Sequence, residues 1–353
     1  MKTVRVVFLY SEMAGYFISA VQELVRQNTE ILVVHWPVKD EAPFDFKDTH
    51  NITLLDKSKF ETTEIEEKIQ AFFPEIIVAS GWMDKDYLKI TKKYFSTIPT
   101  IMALDNHWFG SMKQRLLCLA SPFWLKRIFS NVWVAGEPQA LYAKKLGFSQ
   151  DKIALGYYTA DVATFEKQYY LNRDQKTKSF PKVFLYVGRY IAHKGIFDLW
   201  DAFIQAQTES PSDWELWCVG TGELFDQRVE HEKIKHLGFL QPHELSNIIP
   251  DTGVLILPSH FEPWGVVVHE FAAAGYPLLL SDAIAAGTQF LEEGVNGFSF
   301  PAENVPHLKN QIIKLMAMNT QELTQMGDKS HEKSLELTPS IWAKTLLGMK
   351  EEF

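Results

Sequence analysis

Two carboxylates, Glu262 and Glu270, stand eight positions apart in the stretch Ser259-His-Phe-Glu-Pro-Trp-Gly-Val-Val-Val-His-Glu270. Two cations, Arg189 and Lys194, stand upstream in Gly188-Arg-Tyr-Ile-Ala-His-Lys-Gly195. An arginine can hold two oxygens of one anion at once, and a lysine adds a compact charge. Cations of this kind beside a helix start suit a diphosphate. Either pair alone would be read as chance spacing or solvated surface charge. Their occurrence at matching loop positions in the same half of the chain favours a binding site.

The flanking elements place these groups. Val254–Leu257 is a short apolar run that reads as a buried parallel strand. The stretch after Gly265 reads as a helix, Val266–Ala274, ended by Gly275. Glu262 therefore sits in the loop at a strand's carboxyl end, and Glu270 on the helix that follows. Likewise Val183–Val187 reads as a strand, followed by the glycine-bracketed cationic loop and a helix over Gly195–Gln207. Open α/β sheets bind ligands at that edge, where helix N-termini present N–H groups to an anion.

The same alternation runs through the whole chain. Val4–Leu9, Ile31–His35, Ile76–Ala79, Ile101–Leu104, Val132–Ala135 and Ile153–Leu155 read as strands, with helices over Thr63–Phe73, Asp84–Tyr94 and Pro138–Lys145. In the second half Glu215–Val219, Ile234–Leu237, Pro277–Leu280 and Gly297–Phe300 read as further strands, with helices over His243–Ile249 and Val305–Ala317. The fold class is α/β, with two Rossmann-like, doubly wound parallel-sheet domains. The polar stretch Leu171-Asn-Arg-Asp-Gln-Lys-Thr-Lys-Ser-Phe180 reads as the linker. The expected domains are residues 1–170 and 171–338, with a terminal helix over 339–353 packing back on the first.

Composition narrows the function. The 353 residues are 46% hydrophobic and 22% charged, and two domains are expected at ~100–200 residues each. A formal net charge of -9 speaks against a general nucleic-acid binder. Cys118 and Cys218 form no spacing motif and are expected to be free buried thiols. The start of the chain reads as a first strand and not a signal peptide, and no apolar run reaches ~18 residues, so no transmembrane helix is expected. Neither half opens with G-x-G-x-x-G, which disfavours nicotinamide or flavin use, and there is no Walker loop. Asp84-Lys-Asp86 matches D-x-D, but it opens a helix where aspartates serve as caps.

Gly188-Arg189…Lys194-Gly195, Gly220-Thr-Gly222, Gly238-Phe-Leu240 and Glu262-Pro-Trp-Gly…Glu270-Phe-Ala-Ala-Ala-Gly275 together resemble the retaining GT-B glycosyltransferases of the group 1, or family four, type. The specific motif is E-x7-E, and the resemblance is strongest over roughly residues 183–300. It implies two domains facing across a cleft, the first taking the acceptor and the second a nucleotide-diphosphate sugar. Arg189 and Lys194 would hold the diphosphate, with Gly188 in the same loop. Glu270 would take the ribose hydroxyls, and Glu262 the hydroxyls of the transferred sugar. The backbone around Gly265 and Val266 would face the phosphate or sugar, and the backbone near Phe239 the base. His107 would lie near the reacting carbon, and Asp105 would serve the acceptor. Gly15, in Ala14-Gly15, takes the place of a glycine pair against the phosphates. Trp264 is expected to shape the sugar pocket. The pattern Tyr158-Thr-Ala-Asp-Val-Ala-Thr-Phe165 is similar to the family's inter-domain strand exit.

The implied reaction is sugar transfer with retention to a glycan or lipid-linked acceptor, in bacterial cell-surface polysaccharide or glycolipid synthesis. No cofactor and no obligatory metal are expected, because the two cations and a helix N-terminus do the metal's electrostatic work. A non-catalytic partner subunit of the same fold, or a nucleotide-sugar epimerase, is the alternative. The expected location is the cytoplasm. One segment adds a question of place. From Asn106 to Gly136 there is no acidic residue, and within 107–129 Lys113, Arg115, Lys126 and Arg127 alternate with aromatic and aliphatic side chains. Such a patch fits an anionic membrane surface on its inner face; two core helices with cations turned to water fit it equally.

Overall fold

The computed structural model describes residues 3–11, 13–37, 50–351 and 353, with Pro242 and His243 described in the backbone alone. The chain forms two compact units, Met1–Asp161 with Leu337–Phe353, and Val162–Glu336.

Unit 1 holds a parallel sheet of β1 (Val4–Tyr10), β2 (Thr29–His35), β3 (Ile52–Asp56), β4 (Ile76–Ser80), β5 (Thr100–Leu104), β6 (Asn131–Val134) and β7 (Ile153–Ala154). Their order is β3-β2-β1-β4-β5-β6-β7. Around it lie α1 (Gly15–Arg26), α2 (Thr62–Phe72), α3 (Lys85–Tyr94), α4 (Met112–Ala120), α5 (Glu137–Lys145) and, from the end of the chain, α13 (Pro339–Glu351). Successive side chains of a strand point to opposite faces. Val6 and Phe8 of β1 therefore join α1 and the terminal helix through Phe17, Leu24 and Trp342, while Val7 and Leu9 join α2 and α5 through Ile65, Ile69 and Ala140. With both faces covered, the strands read as unbroken apolar runs. Trp342 lies 4.7 Å from Trp133 between ring centroids and donates its indole N–H to the Tyr157 carbonyl at 2.6 Å.

Unit 2 repeats the plan with β8 (Val183–Val187), β9 (Glu215–Val219), β10 (Ile234–Gly238), β11 (Val254–Leu257), β12 (Leu278–Ser281) and β13 (Gly297–Phe300), in the order β10-β9-β8-β11-β12-β13. Its helices are α6 (Val162–Lys178), α7 (Ile196–Glu209), α8 (Pro242–Ile248), α9 (Val266–Ala273), α10 (Gly287–Phe290), α11 (Val305–Met316) and α12 (Thr320–Ser334). In each sheet the strand order reverses once, between β1 and β4 and between β8 and β11. Doubly wound sheets bind ligands at the carboxyl ends of the strands beside that reversal.

The expected linker is not a linker. Residues 171–178 are the second half of α6, and the units divide between Asp161 and Val162, not at 170. The helix escaped the apolar period because polar contacts fix it. Arg173 pairs with Asp328 of α12 through two hydrogen bonds of 2.9 and 2.8 Å, and Tyr169 donates to the same carboxylate at 2.8 Å. The Asp84 carboxylate caps α3, accepting from the N–H groups of Asp86 and Tyr87 at 3.0 and 3.1 Å, and also meets Lys57 and the Trp36 indole at 2.6 and 2.7 Å. Both cysteines are free; Cys218 is buried and Cys118 only half-buried.

Candidate functional site

At the reversal point of unit 2 two loops meet. The loop after β8 carries Arg189 and Lys194, and the loop after β11 carries Glu262. Lys194 Nζ and Glu262 Oε2 form a short, largely shielded ion pair across 68 residues of sequence. The loops are pressed together by glycine. Gly195 has φ +67, and a Cβ there would lie 2.1 Å from the Pro258 carbonyl oxygen. Only glycine tolerates that conformation at that approach. The His260 N–H also donates to the His193 carbonyl at 2.9 Å.

The electrostatics locate Arg189 in the same region. Burial, then the charges of Lys194 and Arg189, hold the His193 imidazole below its ordinary value, while Glu262 pulls the other way. His193 and the His260–Asp198 pair, 2.8 Å apart, were not singled out from the sequence. His260 stands two places before Glu262, and that position is the signal available for it.

Gly265, with φ +95, is the N-cap of α9, so Val266 opens the helix. The first-turn N–H groups of a helix have no carbonyl of their own helix to bond. A Cβ at Gly265 would lie 3.1 Å from Glu262 Cγ, which sets this helix start against the ion pair. Glu270 lies farther along α9 and is half-buried. Gly188 donates its N–H to the Val219 carbonyl at 3.0 Å, and its own carbonyl sits 1.9 Å from where a Gly220 Cβ would stand. Phe239 is exposed just past the end of β10. Trp264 differs from expectation. Its side chain is 2% exposed and packs edge-on to Phe290, so it belongs to the core and not to a sugar pocket. Its carbonyl accepts from the Ala286 N–H at 2.9 Å, which ties the Glu262 loop to the segment after β12.

Unit 1 places a cavity of about 740 Å³ at the corresponding edge, with Tyr10, Ser80, Trp82, Asp105 and Tyr158 among its walls. Ser80 joins the two central strands there, accepting from the Ser11 N–H at 2.9 Å and donating to the Leu9 carbonyl at 3.0 Å. Asp105 accepts from the Tyr158 hydroxyl at 3.0 Å, and its carbonyl accepts from Gln139 at 3.2 Å. Burial, reinforced by Asp105, pushes the Tyr158 hydroxyl well above its usual range, so it stays a donor. His107, half-buried, stacks on Phe109 with centroids 5.7 Å apart, and its carbonyl accepts from Gln114 at 2.6 Å. Gly15 opens α1 in space where a Cβ would meet nothing within 4 Å.

Residues 171–333 match the family model for glycosyl transferases group 1. Among curated proteins, a glycogen synthase of Mycobacterium tuberculosis (strain CDC 1551 / Oshkosh) is 31% identical over 149 residues, covering 40% of this chain. The chain thereby spans 36% of that relative's length. Among solved structures, Anabaena Alr3699/HepE in complex with UDP and glucose superposes with a TM-score of 0.72 at 16% identity, over 99% of this chain and 100% of the other. A glycosyltransferase from Rickettsia africae ESF-5 superposes with a TM-score of 0.74 at 12% identity, over 100% and 99% of the two chains. At these identities the superpositions speak to the fold alone. The chain has two Rossmann-like units of the GT-B kind, and its residues 171–333 are similar to the glycosyl transferases group 1 model.

Proposed function

We propose that the protein transfers a sugar from a nucleotide-diphosphate donor to a hydroxyl of a glycan or lipid-linked acceptor, with retention of configuration. The observation that carries the reading is the Lys194–Glu262 pair at the reversal point of unit 2, with Arg189 acting on the same spot. Breaking the bond between the anomeric carbon and the phosphate oxygen places growing negative charge on the diphosphate and positive character on the sugar ring. Fixed cations aimed at that oxygen lower the barrier more than they tighten the ground state. Glu262 holds the Lys194 ammonium in place before the donor arrives, and its carboxylate then meets the hydroxyls of the sugar. Glu270 takes the ribose, the backbone past β10 near Phe239 takes the base, and the N–H groups at Gly265 and Val266 face phosphate or sugar.

Retention is assigned to attack on the face the diphosphate leaves. The acceptor oxygen bonds to the anomeric carbon as the carbon–oxygen bond to phosphate breaks, and the acceptor proton passes to the departing phosphate oxygen. Arg189, Lys194 and the helix start supply the positive charge, so no obligatory metal is needed. Asp105 and His107 serve the acceptor side. The test is a thermal-shift screen against nucleoside diphosphates and their sugars, beginning with uridine. A ligand at 100 times its Kd stabilises the fold that binds it by about 2.7 kcal/mol. A donor that raises the melting point of the wild type more than that of Glu270→Ala supports the reading; no response to any nucleotide sugar contradicts it.

A further inference from the structure

Helix α4 (Met112–Ala120) buries none of its residues fully. Gln114, Leu117 and Cys118 are half-buried, and Leu117 and Cys118 pack on the core of unit 1. Met112, Leu116 and Leu119 recur at helical spacing on the opposite side and are 73%, 62% and 72% exposed. Phe123, just past the helix, continues the row at 72%. Solvated helices bury their apolar stripe and turn their polar one outward; here an apolar stripe is turned outward. At 100° per residue, Lys113 and Arg115 flank that stripe on either side, and Lys126 and Arg127 follow after Phe123.

We propose that this face docks unit 1 on an anionic lipid bilayer. Charge complementarity selects that occupant. The segment from Asn106 to Gly136 has no acidic residue, in a chain whose formal net charge is -9. An outward apolar row flanked by cations fits the boundary between anionic headgroups and acyl chains: the row enters the apolar layer and the lysines and arginines stay with the phosphates. Among the described residues no helix is long and apolar enough to cross a membrane, so the attachment is peripheral where it is formed by this face. Lys113, Gln114 and Leu117 of the same helix line the unit 1 cavity. Docking therefore brings that cavity to the headgroup layer, and, on the transferase reading above, the acceptor is borne by a lipid.

The experiment is co-sedimentation of the full chain with vesicles of phosphatidylcholine alone and of phosphatidylcholine with 30% phosphatidylglycerol, each at low and high salt. The expected partition into the anionic vesicles exceeds that into neutral ones by nearly three orders of magnitude, since each of the four cations contributes roughly five-fold. High salt should erase most of the difference. Leu116→Glu with Leu119→Glu, both at exposed sites, should abolish binding with the melting temperature unchanged. Lys126→Gln with Arg127→Gln should lower anionic binding by more than ten-fold. Equal binding to both vesicles, or none to either, overturns the proposal. So does a dimer in gel filtration that the Leu116→Glu, Leu119→Glu variant dissolves, because a second copy would then cover the face. Binding by a chain that shows no transferase activity would leave the docking standing and remove the transfer reading alone.

Discussion

The two units share one plan and differ in what stands at the reversal of strand order. In unit 2 two loops are clamped by glycine contacts below van der Waals distance for any Cβ, and they hold a lysine and a carboxylate in contact. In unit 1 the same edge opens a cavity walled by Tyr10, Trp82 and Tyr158, with Asp84, Asp105 and Lys113 spread along its lining and Asp105 beside a tyrosine donor. Strand order therefore sets where a ligand sits, and the loop residues set which ligand it is. A tight, charged seat suits a diphosphate. A roomy aromatic one suits rings and apolar groups with a few hydroxyls to orient.

The sharpest way to break the contrast is at its glycines. Gly195→Ala forces a Cβ against the Pro258 carbonyl in a left-handed backbone, and it should destabilise unit 2 by about 2–5 kcal/mol in denaturant unfolding. A loss under 1 kcal/mol would mean the loops are not clamped. Next comes Lys176, buried in unit 2 with its Nζ 3.9 Å over the Tyr276 ring. Burial lowers its pKa from 10.5 to about 7. The unfolded chain keeps that proton up to the higher value, so unfolding takes up a proton within this window and stability rises with pH across it. Lys176→Met should then stabilise the protein by about 2–4 kcal/mol at pH 7 and progressively less toward pH 10. A variant that is equally stabilised at both pH values would show that the lysine does not titrate there.

Smaller effects sharpen the picture. Glu270→Ala should weaken donor binding by about 1–3 kcal/mol, the penalty for an unmet polar contact in a shielded site, with calorimetry as the measure. Undiminished affinity would remove Glu270 from the site. Gly15→Ala, the unit 1 counterpart of the Gly195 change, enters open space at a helix start and should alter the free energy of unfolding by less than about 1 kcal/mol. Destabilisation on the Gly195 scale would erase the difference between the units.

The strands were legible because a parallel sheet covered on both faces leaves apolar runs such as Val183–Val187 and Val254–Leu257. β3 was missed because it is an edge strand whose side chains are mostly only partly covered. α6 was misread as a linker because its buried positions include Asn172 and Lys176, and no apolar period betrays a helix seated by such residues. The motif pointed to Lys194 and Glu262 separately, but nothing in a linear pattern shows side chains 68 residues apart in contact. Trp264 was misassigned for the converse reason. An aromatic beside a motif glutamate draws attention outward, whereas here the ring fills the core beneath the loop. The 107–129 segment supported two readings from sequence, and only the burial of α4 distinguishes its inner row from its outer one.

The central claim is that the cations of unit 2 act on the diphosphate as its bond to the sugar breaks. The direct measurement is kcat beside donor Kd for Lys194→Ala and wild type. Loss of a preorganised charge at the leaving group should lower kcat by about 10²–10³-fold while Kd moves by less than ten-fold. An unchanged kcat with weaker donor binding alone would contradict it.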